Sequence, residues 1–233
     1  MKIKILSLIL CLAFLLTLAS CAFERHDLLH SIEIDGTTYC VRGSGTRAKQ
    51  LVVKRGDDVL WAKSVKVAKA VGQQGGEFGF DAVDLNFDGA VDLMLATDVD
   101  GDRLSYVCYL YDAEKETYVK SDVLAPLYNI RADAELKAIF GFDHTYKTEK
   151  AYADVPETYT SADVATKYVW KDGALTPEIR VSLTYFSETD MYLYSVAYYE
   201  AETGKFADDY EKEKWMTPAQ RQELDFSMIY YFK

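Results

Sequence analysis

Along most of the chain, apolar and aromatic residues come in short runs separated by turn pairs, a strand-and-turn rhythm rather than a helical one. "SIEIDGTTYCVRG" reads as strand, Asp35-Gly36 turn, strand, and "QLVVKRGDDVLWAKSVKV" repeats the arrangement around Arg55-Gly56-Asp57-Asp58. "YVWKDGALTPEIRVSLTYF" turns at Asp172-Gly173, and "MYLYSVAYYEAETGKFADDY" turns around Glu202 to Lys205. Glycine supplies the positive φ such tight hairpins need, so "RGD" at 55–57 is read as a turn and not as an adhesion motif. The expected fold class is all-β, with antiparallel hairpins in a small propeller-like or sandwich architecture.

A weak internal echo supports repetition. "LYDAEKETY" (110–118) and "YYEAETGKF" (198–206) share an aromatic, an acid, Ala-Glu, turn residues and a returning aromatic, and each is expected to be the same hairpin. Three segments depart from the rhythm. "TPAQRQEL" (217–224) places Thr before Pro and then good helix formers, which predicts one short C-terminal helix before a last strand, "FSMIYYF". "RADAELKAIFGF" (131–142) is open between helix and strand, its Ala and Glu favouring the first and its apolar end the second. From Thr145 to Thr166 the chain is polar and is expected to be a long loop.

The N-terminus stands outside the fold. Lys2 and Lys4 precede an apolar run from Ile5 to about Leu18, then Leu18-Ala19-Ser20-Cys21. A basic start, a short apolar stretch and small residues describe an export signal, and the run is too short for a comfortable span of roughly 20 residues. "LASC" resembles the lipobox of bacterial lipoproteins, which implies a signal peptide over 1–20 and a lipid on the thiol of Cys21. A tether over 21–31 and a single β domain over 32–233 follow, since no Pro- or Gly/Ser-rich linker divides the remainder. The expected location is the bacterial cell envelope, on the extracytoplasmic side of a membrane.

Without Lys2 and Lys4 the chain carries 24 basic and 37 acidic residues, a net charge of −13. That balance argues against nucleic acid and against attraction to anionic lipid, so membrane association rests on acyl chains, at about 0.8 kcal/mol per buried CH₂. Of four cysteines, Cys11 lies in the signal and Cys21 is the lipid site, leaving Cys40 and Cys108. In an oxidising compartment these two could pair; two buried free thiols are the equal alternative.

The sharpest chemical signal is "DLNFDGAVD", 84–92. Asp84, Asn86, Asp88 and Asp92 offer side-chain oxygens at positions 1, 3, 5 and 9, and Ala90 at position 7 offers a backbone carbonyl. Gly89 at position 6 permits a sharp turn. Calcium takes six to eight hard oxygens in a flexible shell, whereas zinc prefers His and Cys and magnesium keeps its waters. The alternative is a plain polar turn of Asp, Asn and Gly. Position 12 is Leu95, not the Glu of an EF-hand, and the flanks read as strands, so the loop joins strand to strand.

"FDAVDLNFDGAVDLML" resembles the FG-GAP and VCBS-type calcium loop of integrin-alpha-like propellers. With "YVCYLYDAEKETYV" and "KYVWKDGAL", the resemblance runs over about residues 75 to 176 of this chain. It implies calcium ligands at Asp84, Asn86, Asp88 and Asp92 by side chain and at Ala90 by carbonyl, in a small propeller-like β fold. Some similar proteins are calcium-bound inhibitors of cell-wall lysozymes. This chain has one complete loop; "DVDGD" (98–102) is read as a hairpin turn before "LSYVCYLY", not as a second site.

No zinc-protease, nucleophile-elbow, phosphate-loop or Cys-x-x-Cys motif is present, and His26, His30 and His144 are scattered, the first two in the expected tether. Calcium is expected to be structural, and no enzyme activity is expected. The reading is a lipid-anchored module that binds a protein or glycan partner, with inhibition of a wall hydrolase as its sharpest form. The alternative is a surface glycan hydrolase using carboxylates in a Tyr-lined cleft.

Overall fold

The structure, a computed structural model, describes residues 26–45, 47–65, 67, 79–101, 103–149 and 158–223. The signal segment, Cys21 and the "FSMIYYF" strand lie outside these residues. Among the described residues no helix is long and apolar enough to cross a membrane. The chain divides into two compact units, Met1–Phe80 and Asp81–Lys233.

In the first unit, β1 (Asp27–Ile34), β2 (Thr37–Ser44), β3 (Arg47–Arg55) and β4 (Asp58–Ser64) form one antiparallel meander in chain order. Its first turn is Asp35-Gly36, at φ 49° and 72°. Both signs are positive, as the tightest hairpins require. Tyr39, Cys40 and Val41 of β2 and Leu51, Val52 and Val53 of β3 are buried in consecutive runs, so both faces of the two central strands are covered there. At Arg55-Gly56-Asp57 the chain turns between β3 and β4, with Gly56 at φ 58°. β1 starts at Asp27, so residues 27–31, including His30, are strand and not the tether expected there.

The second unit holds two sheets. β5 (Phe80–Val83), β6 (Asp92–Asp100), β7 (Arg103–Asp112) and β8 (Thr117–Lys120) make a second four-stranded meander, whose β6–β7 turn at Gly101 is the hairpin read from "DVDGD". The other sheet has seven strands: β9 (Arg131–Asp133), β10 (Ala138–Glu149), β11 (Thr158–Lys171), β12 (Ala174–Phe186), β13 (Met191–Glu200), β14 (Lys205–Asp208) and β15 (Lys214–Met216). The first six run side by side in chain order, and β15 adds to β13. The architecture is all-β and antiparallel, with one short helix and no closed barrel among the described residues.

Both sheets of this unit share a core. Leu85, Met94, Cys108, Leu124 and Ile130 pack with Ile139 of β10, and Trp170 and Leu175 of the β11–β12 hairpin cover them. A second cluster, Ala138, Phe140, Ala165, Val181 and Val196, lines one face of the seven-stranded sheet. Burial of each Val, Leu, Ile, Phe or Met side chain among them contributes about 1.5–3 kcal/mol.

The echoed hairpins are the same construction. Tyr111 pairs with Tyr118 and Tyr199 with Phe206, at ring separations of 5.1 and 5.5 Å. Glu116 and Gly204 take the same place before the returning strand, at φ 49° and 66°. Helix α1 (Pro218–Glu223) begins where Thr-Pro places it. Thr217 Oγ1 accepts from the Gln220 amide at 3.3 Å, and Gln220 Oε1 accepts from the Thr217 amide at 2.9 Å, a reciprocal cap.

Of the two segments that composition leaves open or reads as loop, the first is strand and the second is corrected. Residues 131–142 form a hairpin: β9 and β10 pair around a turn at 134–137, in which Asp133 Oδ1 accepts from the Leu136 amide at 2.9 Å. The expected long loop from Thr145 to Thr166 is corrected, because β10 runs on to Glu149 and β11 starts at Thr158. Threonine and tyrosine there are polar but β-forming, so polarity alone misreads them.

Candidate functional site

The aspartate loop joins β5 to β6, strand to strand as its flanks predict. Its backbone folds onto its own side chains. The Asp88 amide donates to both Asp84 Oδ1 and Asn86 Oδ1, each at 3.2 Å, and Gly89 N donates to Asp84 Oδ2 at 2.8 Å. The Ala90 amide donates to Asp88 Oδ1 at 2.8 Å, while Asn86 Nδ2 donates to Asp88 Oδ2 at 2.8 Å. Gly89 sits at φ 91°, so the sharp turn at position 6 is made by the residue that can make it. Phe87 takes φ 61° without being glycine, and its ring packs against the core cluster below the loop. That packing holds a backbone conformation that costs of order 1 kcal/mol or more.

Asp92 differs from the other three. It is fully buried at the start of β6 and is an acceptor twice over: Oδ2 takes the Leu85 amide at 2.8 Å and Oδ1 takes the Tyr111 amide at 2.7 Å. One carboxylate thus ties the beginning of the loop to the end of β7. Burial pushes its carboxyl up to about 7, against the pull of the two amides and with the help of Asp88 and Asp84. The same burial, with Asp92 nearby, pushes the Cys108 thiol up to about 12. Cys40 and Cys108 are both buried free thiols, which is the second of the two alternatives open in the sequence.

The sequence pattern therefore places Asp84, Asn86, Asp88, Ala90 and Asp92 in one compact loop. Their donor chemistry fits a hard divalent cation: Asp84 and Asn86 oxygens converge on a single amide, and Asp88 lies against both residues. Among the described residues, no three His, Cys, Asp or Glu side chains are grouped closely enough to hold a metal by themselves, and the loop oxygens are turned onto loop amides.

Two contacts of this site were not legible in the pattern. Trp170 Nε1 donates to the Leu85 carbonyl at 2.8 Å, bringing the β11–β12 hairpin onto the loop. The Tyr111 amide reaches Asp92 from 19 residues away. His144, isolated in sequence, pairs with Asp163 at 2.7 Å on neighbouring strands and is exposed.

A groove of about 540 Å³ opens on the seven-stranded sheet. Its lining combines hydroxyls (Thr166, Ser182, Thr184), aromatic rings (Tyr168, Phe206) and the guanidinium of Arg180. It holds one carboxylate, Asp143, which is ion-paired with Arg103. The signal for it lay in "RVSLTYF", where Arg180, Ser182 and Thr184 alternate with buried Val181 and Leu183.

No family model matches this chain, and no curated protein matches it. Among solved structures the chain is similar to one described as "Structure of a Xanthomonas Type IV Secretion System related protein", at 15% identity and a TM-score of 0.48, over 77% of this chain and 92% of that one.

Proposed function

We propose that this protein is a lipid-anchored module of the bacterial cell envelope, stiffened by one structural calcium ion, which holds a protein or glycan partner outside the membrane. Inhibition of a cell-wall hydrolase is the sharpest form of that role. The observation that carries the reading is the loop itself: Asp84 and Asn86 oxygens gathered on the Asp88 amide, the Asp88 carboxylate bonded to Asn86 Nδ2, and a buried Asp92 carboxylate that no basic side chain neutralises among the described residues. Calcium would be held by the side chains of Asp84, Asn86, Asp88 and Asp92 and by the Ala90 carbonyl. It would supply charge neutralisation and rigidity, and no chemistry.

The groove favours binding over hydrolysis. Glycoside cleavage by carboxylates uses two acids, about 5 to 9 Å apart, and the groove lining has only Asp143, already held by Arg103. A cation that binds only the folded state stabilises it by about 2.7 kcal/mol at a hundredfold excess over Kd. Calorimetry of the purified protein with millimolar CaCl₂, beside melting curves in EGTA, tests the ion. Pull-down of peptidoglycan hydrolases with a lysozyme activity assay tests the partner. Silence in the calorimeter together with an unmoved melting temperature removes the calcium reading.

A further inference from the structure

We infer that the groove on the seven-stranded sheet is a binding site for a carboxylated saccharide, an oligosaccharide bearing uronic-acid-type groups. This rests on the reading of the protein as a binding module and names the ligand class for it.

Residues directly opposite each other in a sheet point to the same face. Thr166 pairs with Arg180, Val164 with Ser182 and Ala162 with Thr184 across β11 and β12. Ser182 pairs with Ser195 and Thr184 with Leu193 across β12 and β13, and Leu193 pairs with Trp215 on β15. One face therefore carries a guanidinium, a row of hydroxyls and, beyond them, the Trp215 indole, which is 53% exposed and rests 5.3 Å from the Phe186 ring. The opposite face of the same strands is the apolar cluster around Val181 and Val196.

That combination selects a class of ligand. Arg180 lies over the Phe206 ring at 4.5 Å and enters no ion pair among the described residues. Asp143 is the acid in the groove, and Arg103 neutralises it. In a chain of net charge −11, an uncompensated guanidinium in a groove is a specific invitation to an anion, and its forked donors match a carboxylate. Hydroxyl side chains suit a ligand with many hydroxyls. Exposed aromatic rings suit the apolar C–H faces of sugar rings, with area buried at little cost in side-chain entropy.

The backbone argues against a peptide. β11 and β12 are internal strands whose amides and carbonyls are committed to their neighbours, so an extended chain cannot add to them by strand pairing. A volume of about 540 Å³ falls within the roughly 300–1,000 Å³ of small-ligand sites.

The test is a calorimetric titration of the full mature protein, in detergent, with hyaluronan tetrasaccharide, its carboxyl-reduced neutral counterpart and hexaglutamate. Each is run with calcium and with EGTA, and the sugar is chromatographed afterwards. The expected result is binding of the carboxylated sugar alone, weakened about tenfold or more by Arg180→Gln and also by Trp215→Ala, with both variants melting like the parent. Equal binding of the neutral sugar overturns the role of Arg180. Equal or tighter binding of hexaglutamate transfers the site to acidic peptides and overturns the saccharide. No heat with any of the three overturns the site. Binding that persists in EGTA while calcium gives no signal sinks the calcium reading alone, and chain cleavage in the chromatogram sinks the binding-module reading while leaving the ligand class standing.

Discussion

The indole Nε1 of Trp170 donates a 2.8 Å hydrogen bond to the carbonyl of Leu85, joining the second residue of the aspartate loop to a hairpin 85 residues further along the chain. The two side chains also share one core cluster, Leu85 within it and Trp170 packed over it. A change in the loop is therefore felt by an indole, and a change in the hairpin is felt by the loop.

On that ground, calcium titration should alter the intrinsic fluorescence, and Trp170→Phe should remove most of the response while Trp61 and Trp215 remain. The same substitution keeps an aromatic ring but loses one hydrogen bond, with an expected cost of about 1 kcal/mol in denaturant unfolding. A full calcium response in the Trp170→Phe protein would place the reporter elsewhere.

Removing the proposed ligands should act as removing the ion does. In the double variant Asp84→Asn with Asp88→Asn, calcium should no longer raise the melting temperature, and EGTA should no longer lower it. The neutral amides keep much of the loop's hydrogen bonding, so the apo form should melt close to the parent in EGTA. A calcium-dependent shift that survives in this variant would mean that the ion sits at another site.

Asp92 predicts a pH dependence with a definite sign. Its carboxyl is pushed from 3.8 up to about 7, so between those values the native state holds a proton that the unfolded chain has given up. In EGTA its contribution to stability is therefore full below about pH 4 and is lost as the pH rises through 7. Calcium favours the ionised form, so binding at pH 6.5 should release protons and give an enthalpy that depends on the ionisation heat of the buffer. Asp92→Asn should flatten the slope of stability against pH in EGTA. A parent protein whose stability rises from pH 5 to 7.5 in EGTA more steeply than that of Asp92→Asn contradicts the sign.

Cys40 and Cys108 should be silent toward thiol reagents in the native protein at pH 8. Both are buried, and burial raises both thiols, Cys108 to about 12, so little thiolate is present to react. Unfolding in guanidinium should release both for titration with a chromogenic disulfide. Fewer than two groups after unfolding, recovered only with reductant, would mean that the pair had oxidised.

Gly43 should not tolerate a side chain. A Cβ there would meet the backbone carbonyl of Arg47 and, at 2.6 Å, the Cδ1 of Leu29, at a point where the β2–β3 register shifts. Gly43→Ala is expected to lower stability by about 1–3 kcal/mol, because the obstacle is backbone rather than the end of a flexible side chain. Gly45→Ala tests a different cause, since Gly45 has open space but φ 59°. If Gly43→Ala melts like the parent, the close approach of β2 and β3 is not the constraint described.

What the sequence by itself determined is local. Asp35-Gly36 and Asp172-Gly173 mark turns because only residues that accept positive φ can close such hairpins, and Thr217-Pro218 marks a helix start because it supplies its own cap. Short apolar runs between turn pairs located strands β2 and β3, and the spacing of Asp84, Asn86, Asp88 and Asp92 located the loop. The tertiary structure decided whatever depends on partners far along the chain. Thr145 to Glu149 are strand because Thr158 to Ala162 pair with them, a relation that polar composition does not encode. Asp92 acquires its raised carboxyl from burial at the start of β6, Leu85 meets Trp170 across two sheets, and Arg180 faces a groove because three strands present alternate residues in one register. The physical reason is common to all of these. Side-chain alternation and turn conformation are set by nearest neighbours, whereas register and sheet-on-sheet packing are set by which distant surfaces exclude water together.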